Sequence, residues 1–535
     1  GPQFDPKDVD SIEMQRGGYS AEFGDRTYGV FNVVTRSGFE RNREGELVLN
    51  YGSFNSTDDQ ISFGSHSDRF AYYTSVSGNR SEYGLETPIT EILHDGRAGL
   101  SNFTSLIFNP TSIDQLRLVT SLRGDHYQIP NNFDLEAAGI RDAEDERDAF
   151  VNFSWVRTAG HGVLITLSPF YHFNRANYEG GRSDTPLIPQ QERGSHYAGG
   201  EFAVAALAKK HNVRFGIAGF GQHDNELFGL TDPAANSSLR QRVRPSGDSE
   251  SLYAEDQWRA LSWLTLNGGV RLSRFAGGLT ETAADPRVGA AIELPKIHWV
   301  LRGFYGRYYQ PPPLSTVAGP IVDLALNQGF GFLPLRGERD EQAEAGLSIP
   351  FRNWAFEWDA YQTHARNFFD HDVLGNSNIF FPLTIERARI RGWEASLRSP
   401  QLFRRGKLHL AFAHQFVQGK GGVNGGLTDF SPPEDEFFYL DHDQRDTLSF
   451  GGEVALPWRV AASANFNYGS GFLEGDGPGH LPSHSTFDLA LRRSFGETWE
   501  AELTGHLLDT SNTFGGTHYA DPRQLSITLR YRFHY

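Results

Sequence analysis

Polar and apolar residues alternate along much of this chain, most cleanly at its C-terminus. In QLSITLRYRFHY (524–535), Leu525, Ile527, Leu529, Tyr531, Phe533 and Tyr535 occupy one phase of a two-residue period, and Gln524, Ser526, Thr528, Arg530, Arg532 and His534 occupy the other. A period of two places each set on its own face of a β-strand. ETWEAELTGHLL (497–508) repeats the pattern, with Trp499, Ala501 and Leu503 against Glu500, Glu502 and Thr504. So do STFDLALRRSF (485–495) and SIDQLRLVTSLRGD (112–125), where leucines oppose Asp488, Arg492, Gln115, Arg117 and Arg123. One face is apolar and aromatic. The other is charged in strand after strand, so it must be wet or pressed against polar material.

The whole chain reads as about 22 such strands, an even number as closed membrane barrels require. The first candidate is 45–52 and the last 523–534. Short connections, SD (67–68), NPT (109–111), AGH (159–161), KKH (209–211) and LP (294–295), alternate with long ones at 81–96, 125–146, 177–194, 225–249, 310–338, 367–385 and 420–442. Tight turns at one rim and long loops at the other are the build of an outer-membrane barrel, with turns in the periplasm and loops outside. A propeller would repeat every 40–50 residues or so, and stacked sandwiches would show linkers; neither pattern is present in the sequence.

Composition agrees with that architecture. Hydrophobic residues are 38% of the 535, aromatics a high 13%, and there are 58 glycines. A mean hydropathy of −0.47 would argue for a water-soluble protein, but only alternate residues of a barrel strand meet lipid. The longest apolar runs, such as FAVAALA (202–208), fall far short of the 18 or so residues of a membrane helix. Cysteine is absent, which is compatible with the oxidising bacterial envelope. The net charge of −17 excludes nucleic acid as a natural partner. Acidic residues gather in the expected loops, in DLEAAGIRDAEDERD (134–148) and GERDEQAE (337–344). There they serve solubility, or bridge through divalent cations to the lipopolysaccharide of the outer leaflet.

Residues 1–40 break the pattern. GGYSAEFGDRTYGVFNVVTRSG (17–38) has a glycine-rich turn and then GVFNVVT (29–35), too short and too apolar on both faces for a wall strand. It reads as part of a packed element lying inside the lumen. The segment resembles the end of the plug domain of TonB-dependent receptors, through Arg16, Gly17, Glu22, Gly24, Gly29, Val30, Asn32 and Thr35. Four wall segments carry the same resemblance: YGRYYQPPP (305–313), LRGERDEQAEAGL (335–347) through Glu338, Glu344 and Gly346, ARIRGWEASL (388–397) through Arg391, Gly392 and Glu394, and HLLDTSN…DPRQLSITLRYRF (506–533). GGYSAEFGDRTYGVFNVVTRSGFER and YLDHDQRDTLSFGG resemble the Oar-like branch. His506 and Asp521 depart from the family's usual Asn and Gly.

The resemblance implies an all-β fold: a transmembrane antiparallel β-barrel over 41–535, with 1–40 the C-terminal remnant of a plug inside or below the lumen. It implies a bacterial outer-membrane location, lipid and lipopolysaccharide around the wall, an extracellular ligand or surface partner, and an energy-coupling inner-membrane complex where a full plug exists. The bulk of that plug and its coupling motif are not among these residues. The resemblance implies uptake of a scarce solute (siderophore, vitamin, oligosaccharide or peptide). A barrel-anchored structural or adhesive protein and a passive pore are the alternatives. Net acidity disfavours an anionic ferric siderophore.

No catalytic motif is present, neither G-x-S-x-G nor H-E-x-x-H nor a Walker loop, and no cofactor is expected. Tyr305, Tyr308, Tyr309, Gln310, Asn327, Phe330 and Phe332 combine aromatic faces with amides, which suits capture of a solute at the outer mouth. They equally suit an interfacial girdle. Two triplets, Asp370-His371-Asp372 and Asp441-His442-Asp443, have the ligand types for a divalent cation; as strand starts and solvated turns they need no metal.

Overall fold

The structure, a computed structural model, describes residues 3–15, 17–160, 162–184, 187–322, 334–373, 379–425, 435–440, 443–473, 479–509 and 522–535. Residues 44–534 form a closed antiparallel barrel of 22 wall strands. Two further strands, Ser237–Val243 and Phe438–Tyr439, pair only with the outer stretches of a neighbour. The strands flanking each of them pair directly with one another lower down, as in His211↔Trp258 and Gly406↔Val454.

The alternating C-terminal segment closes the ring. Gln524–His534 pairs with Glu44–Gly52 from Ser526↔Gly52 to His534↔Glu44. Its apolar set faces outward: Leu525, Ile527 and Leu529 are exposed, and lipid would cover them. The polar set knits the seam from inside. Asn50 Nδ2 donates to Thr528 Oγ1 at 2.8 Å, and the buried Glu46 carboxylate meets Arg532 at 3.1 Å, Arg41 at 3.7 Å and Arg530 at 3.8 Å. Tyr531 packs on Trp499 at 4.5 Å, and Phe63 meets Phe533 and Tyr535 edge-on.

The wall is taller than the alternation indicates. Ile188–Ala208, His211–Asp232, Trp354–Val373, Phe380–Arg398 and Gly406–Gly425 run about twice the 9–11 residues needed to cross a bilayer. Much of the expected loops 177–194, 225–249 and 367–385 is therefore paired strand standing above the membrane. In the acidic segment, Phe133–Ala138 is a helix whose N-cap Asn132 accepts from Leu135 N–H, and Ala143–Ala159 is strand.

The N-terminal segment crosses the lumen. β1 (Val9–Gln15) and β2 (Val30–Thr35) form a two-stranded antiparallel sheet separate from the wall. On one side the buried Asp8 carboxylate accepts from Ser75 Oγ (2.7 Å), the Tyr73 hydroxyl (2.9 Å) and Gln60 Nε2 (3.1 Å), while Phe4 packs edge-on against Phe103 and Phe150. On the other, residues 19–28 dock on the strands between Ser246 and Phe351. Ser20 Oγ and the Ala21 N–H donate to Glu255 at 2.7 and 2.8 Å. Arg271 donates to the carbonyl of Glu22 at 2.8 Å, Arg287 to those of Tyr19 and Ser20, and Thr27 Oγ1 to Glu338 at 2.8 Å. These guanidiniums satisfy carbonyls that a loop cut off from water could not leave unpaired.

Candidate functional site

Above residues 19–28 lies a lumenal cavity of about 530 Å³. Asp25 stands in its floor, and Gln310 to Ser315 fold inward along its side. The remaining wall comes from the outer halves of strands between Asp114 and Leu261. Cross-strand register turns Arg123, Asp125, Glu146, Asp148, Arg193, Asp224 and Glu226 to the inside, with Asn174, Ser195, Tyr197 and Gln222 between them. With Asp25, six carboxylates and two guanidiniums point inward by register, and Asp248, Arg147 and Arg175 also border the cavity.

Part of that acidity is satisfied locally. Arg123 grips Asp125 through two bonds of 2.5 and 2.9 Å, and His172 lies 2.6 Å from Asp148. Gln222 Nε2 donates to both oxygens of Asp224. Glu226 lies well beyond the roughly 9–11 residues of its strand that cross the bilayer. Burial, then the charge of Asp224, push its carboxyl up to about 7, against the pull of Arg193.

An apolar cluster spans the outer end of the lumen. Ile129, Tyr178, Phe228, Val322, Ile379 and Phe381 are buried together. Phe228 meets Phe381 edge-on at 5.9 Å, although their strands stand well apart in the ring order. Hydrophobic burial thus draws extracellular segments from separate parts of the rim into one contact. Beneath it, Leu314 and Val317 pack against Phe275, Ala283 and Tyr309.

The expected mouth residues divide. Tyr305 is exposed on the wall. Tyr308 is buried against Tyr19 at 4.5 Å, with Arg287 over its ring. Tyr309 is buried too, its hydroxyl donating to Glu281 at 2.9 Å and Arg339 covering its ring. Among the described ones, Gln310 alone lines the cavity, and it accepts from Thr27 at 3.2 Å. Asn327, Phe330 and Phe332 lie outside the described residues.

Of the plug-like positions, Gly17 and Gly24 are sites of close approach. A Cβ would strike Glu344 at the first and Arg271 at the second. Glu22 meets Arg214 at 3.3 Å, and Asn32 donates to Glu13 across β1 and β2 at 3.1 Å. Arg16 lies outside the described residues.

The acidic-histidine triplets do not converge as a metal centre among the described residues. Asp370 and His371 end a strand, paired with Leu383 and Pro382. Asp443 is fully buried and engaged by Val417 N–H (2.7 Å), Arg445 (2.8 Å) and His480 (3.2 Å); the guanidinium already supplies its counter-charge. The side chain of Asp372, and Asp441 and His442 altogether, lie outside the described residues.

The cavity acids were not singled out from sequence. The signal exists, in the period-two series Gln222, Asp224, Glu226 and Glu144, Glu146, Asp148. It resembles any solvated strand face until register brings the two series to one chamber.

Comparison with known proteins places this geometry. The family model "TonB dependent receptor-like, beta-barrel" matches residues 140–506. No curated protein matches the chain. Among solved structures, the copper transporter OprC superposes with a TM-score of 0.78 at 11% identity, covering 99% of this chain and 86% of that one. The ferric yersiniabactin uptake receptor FyuA of Yersinia pestis gives 0.77 at 13% identity, with 98% and 85% covered. The siderophore receptor PiuA of Acinetobacter baumannii gives 0.76 at 11%, with 98% and 86% covered. At such identities the likeness is one of fold.

Proposed function

Because this chain belongs to the TonB-dependent receptor-like β-barrel family, and so to the bacterial outer membrane, we propose that it is a gated receptor for uptake of a scarce solute. The observation that carries this reading is the acidic cavity set between the N-terminal segment, docked on the wall inside the lumen, and the apolar cluster above it. A passive pore needs a wide wet path; the N-terminal segment and the outer cluster both narrow it, and a second lumenal cavity of about 1050 Å³ lies beside them along the strands from Arg398 to Ser526. On this reading residues 1–40 are the last part of a plug. β1 and β2 support it: Ile12, Met14, Phe31 and Val33 form one exposed apolar face, the kind of face a packed domain buries. Energy coupling to the inner membrane would act through that plug.

The solute class follows from charge. Seven carboxylates against four guanidiniums around the cavity favour a cationic or hydroxyl-rich solute over an anionic one. Siderophores, vitamins, oligosaccharides and peptides of that character all remain candidates.

The test is growth of a deletion strain on limiting solutes of graded charge, with and without the gene and with the proton-motive force dissipated. The expected result is a growth defect for a cationic or neutral polar solute, mimicked by dissipation. Equal growth across the whole panel would reject uptake.

A further inference from the structure

Asp142, in the acidic segment 134–148, faces a second carboxylate, Asp184, from outside that segment. Asp142 immediately precedes the strand Ala143–Ala159, and Asp184 lies in the extracellular connection after Val163–Glu179. They are 7% and 8% exposed. Asp142 is partly satisfied: Oδ1 accepts from the Gly181 N–H at 2.6 Å and Oδ2 from the Tyr178 hydroxyl at 2.5 Å. Asp184 is different. Both of its carboxylate oxygens are buried, and neither accepts a hydrogen bond from the described residues within normal geometry.

The two carboxylates converge. A Cβ on Gly181 would stand 2.8 Å from the Arg141 backbone nitrogen, 3.2 Å from Asp142 Oδ1 and 3.3 Å from Asp184 Oδ1, so both oxygens border the same small space. A Cβ on Gly180 would strike Asp184 Oδ2 and lie 2.7 Å from the Pro189 carbonyl oxygen. Two successive glycines thus keep oxygen atoms close together. The nearby guanidiniums are turned elsewhere, Arg141 to Glu136 at 2.9 Å and Arg193 to Glu144 at 3.7 Å.

We propose that Asp142 and Asp184 bind a hard divalent cation, with Ca²⁺ the best fit, joining the connection after Glu179 to the start of the strand at Ala143. The donors are all oxygen: two carboxylates, the Pro189 carbonyl and water to complete the shell. Ca²⁺ accepts such mixed, irregular sets, whereas zinc and copper favour imidazole and thiolate. The cation would also brace the outer cluster. Tyr178 donates to Asp142, and the Asp142 carbonyl accepts from Ile129 N–H at 3.0 Å; both residues belong to that cluster. The proposal does not depend on which solute the barrel takes up.

The experiment is calorimetric titration of Ca²⁺ into the full chain, purified in detergent and stripped with EDTA, for wild type, Asp184→Asn and Asp142→Asn. Hydrogen exchange at Ile129 and Tyr178 is followed in parallel. Wild type is expected to show one saturable site and slower exchange with Ca²⁺. Each variant is expected to lose on the order of tenfold or more in affinity, with unchanged heat-modifiable gel mobility as proof of an intact barrel. Absence of saturable binding in wild type, which needs no variant to fold, would overturn the proposal, as would an unaltered affinity in Asp184→Asn. So would exchange that responds to pH but not to Ca²⁺, because the pair would then share a proton rather than a metal.

Discussion

At the scale of single residues, two arginines and two glycines set how the N-terminal segment sits in the lumen. Arg271 reaches the carbonyls of Ala21 and Glu22, and Arg287 those of Tyr19 and Ser20. Each bond from a charged donor is worth about 1.5–3 kcal/mol when its loss strands a buried acceptor. Arg271→Ala should therefore release residues 19–28 locally while the wall stays folded. Hydrogen exchange over 19–28 is expected to rise, with no change over the C-terminal strand. Arg271→Lys should restore little, because one ammonium cannot serve the Ala21 and Glu22 carbonyls as Nη1 does while also reaching Ser251 and Asp25 as Nη2 does. Gly24→Ala should resemble Arg271→Ala, since its methyl would occupy the space of the guanidinium. The sequence marked Gly17 and Gly24 as plug-like positions, but their partners Glu344 and Arg271 are hundreds of residues away. A contact of that kind has no local signature. Tyr308 and Tyr309 show the same limit: their types suit solute capture, and packing against Tyr19 and bonding to Glu281 engage them internally instead.

At the scale of elements, legibility followed the solvent. Where a strand has lipid on one side and lumen on the other, its residues alternate, and Gln524–His534 was plain from sequence. Above the membrane both faces meet water or other protein, so the alternation fades although the backbone pairing continues. IPQQERG, the outer end of the strand from Ile188, carries no period of two, yet it pairs in unbroken register with Leu227 and its neighbours. Backbone hydrogen bonding and the adjoining strands hold such segments, and neither is written in the pattern of one strand. The seam offers a direct test of what is written there. Glu46 gathers Arg532, Arg41 and Arg530 on the lumen side. Glu46→Gln should cost about 1–3 kcal/mol, less than a fully buried pair because Arg532 is partly exposed. The readout is the temperature at which the folded, fast-migrating band is lost on a denaturing gel, expected to fall for Glu46→Gln and to hold for a distant rim substitution such as Lys209→Gln.

At the scale of the whole molecule, the charged lumen, the segment across it and the outer apolar cluster act together. The acidic chamber makes binding depend on pH. Glu226 is held up at about 7 when folded, against 4.5 in an ordinary environment. Between those values the folded chain holds the extra proton, so stability rises as pH falls from above 7 toward 4.5. Affinity for a cationic solute should move oppositely, weakening over the same fall as Glu226 loses its charge. Glu226→Gln should flatten both profiles, measured by thermal unfolding and by equilibrium binding between pH 5 and 8 or so. Sequence alone foresaw the wall and its outer-membrane setting. It did not foresee the cover, because Phe228 and Phe381 belong to distant strands that meet only when the ring closes.

The account rests on a lumen narrowed by the chain's own N-terminal segment and outer cluster, and ionic current through single barrels in a planar bilayer tests it most directly. The intact chain is expected to show a clearly smaller steady conductance than the chain without residues 1–40. A stable, voltage-independent conductance from the intact chain, unchanged by removal of those residues, would contradict the account.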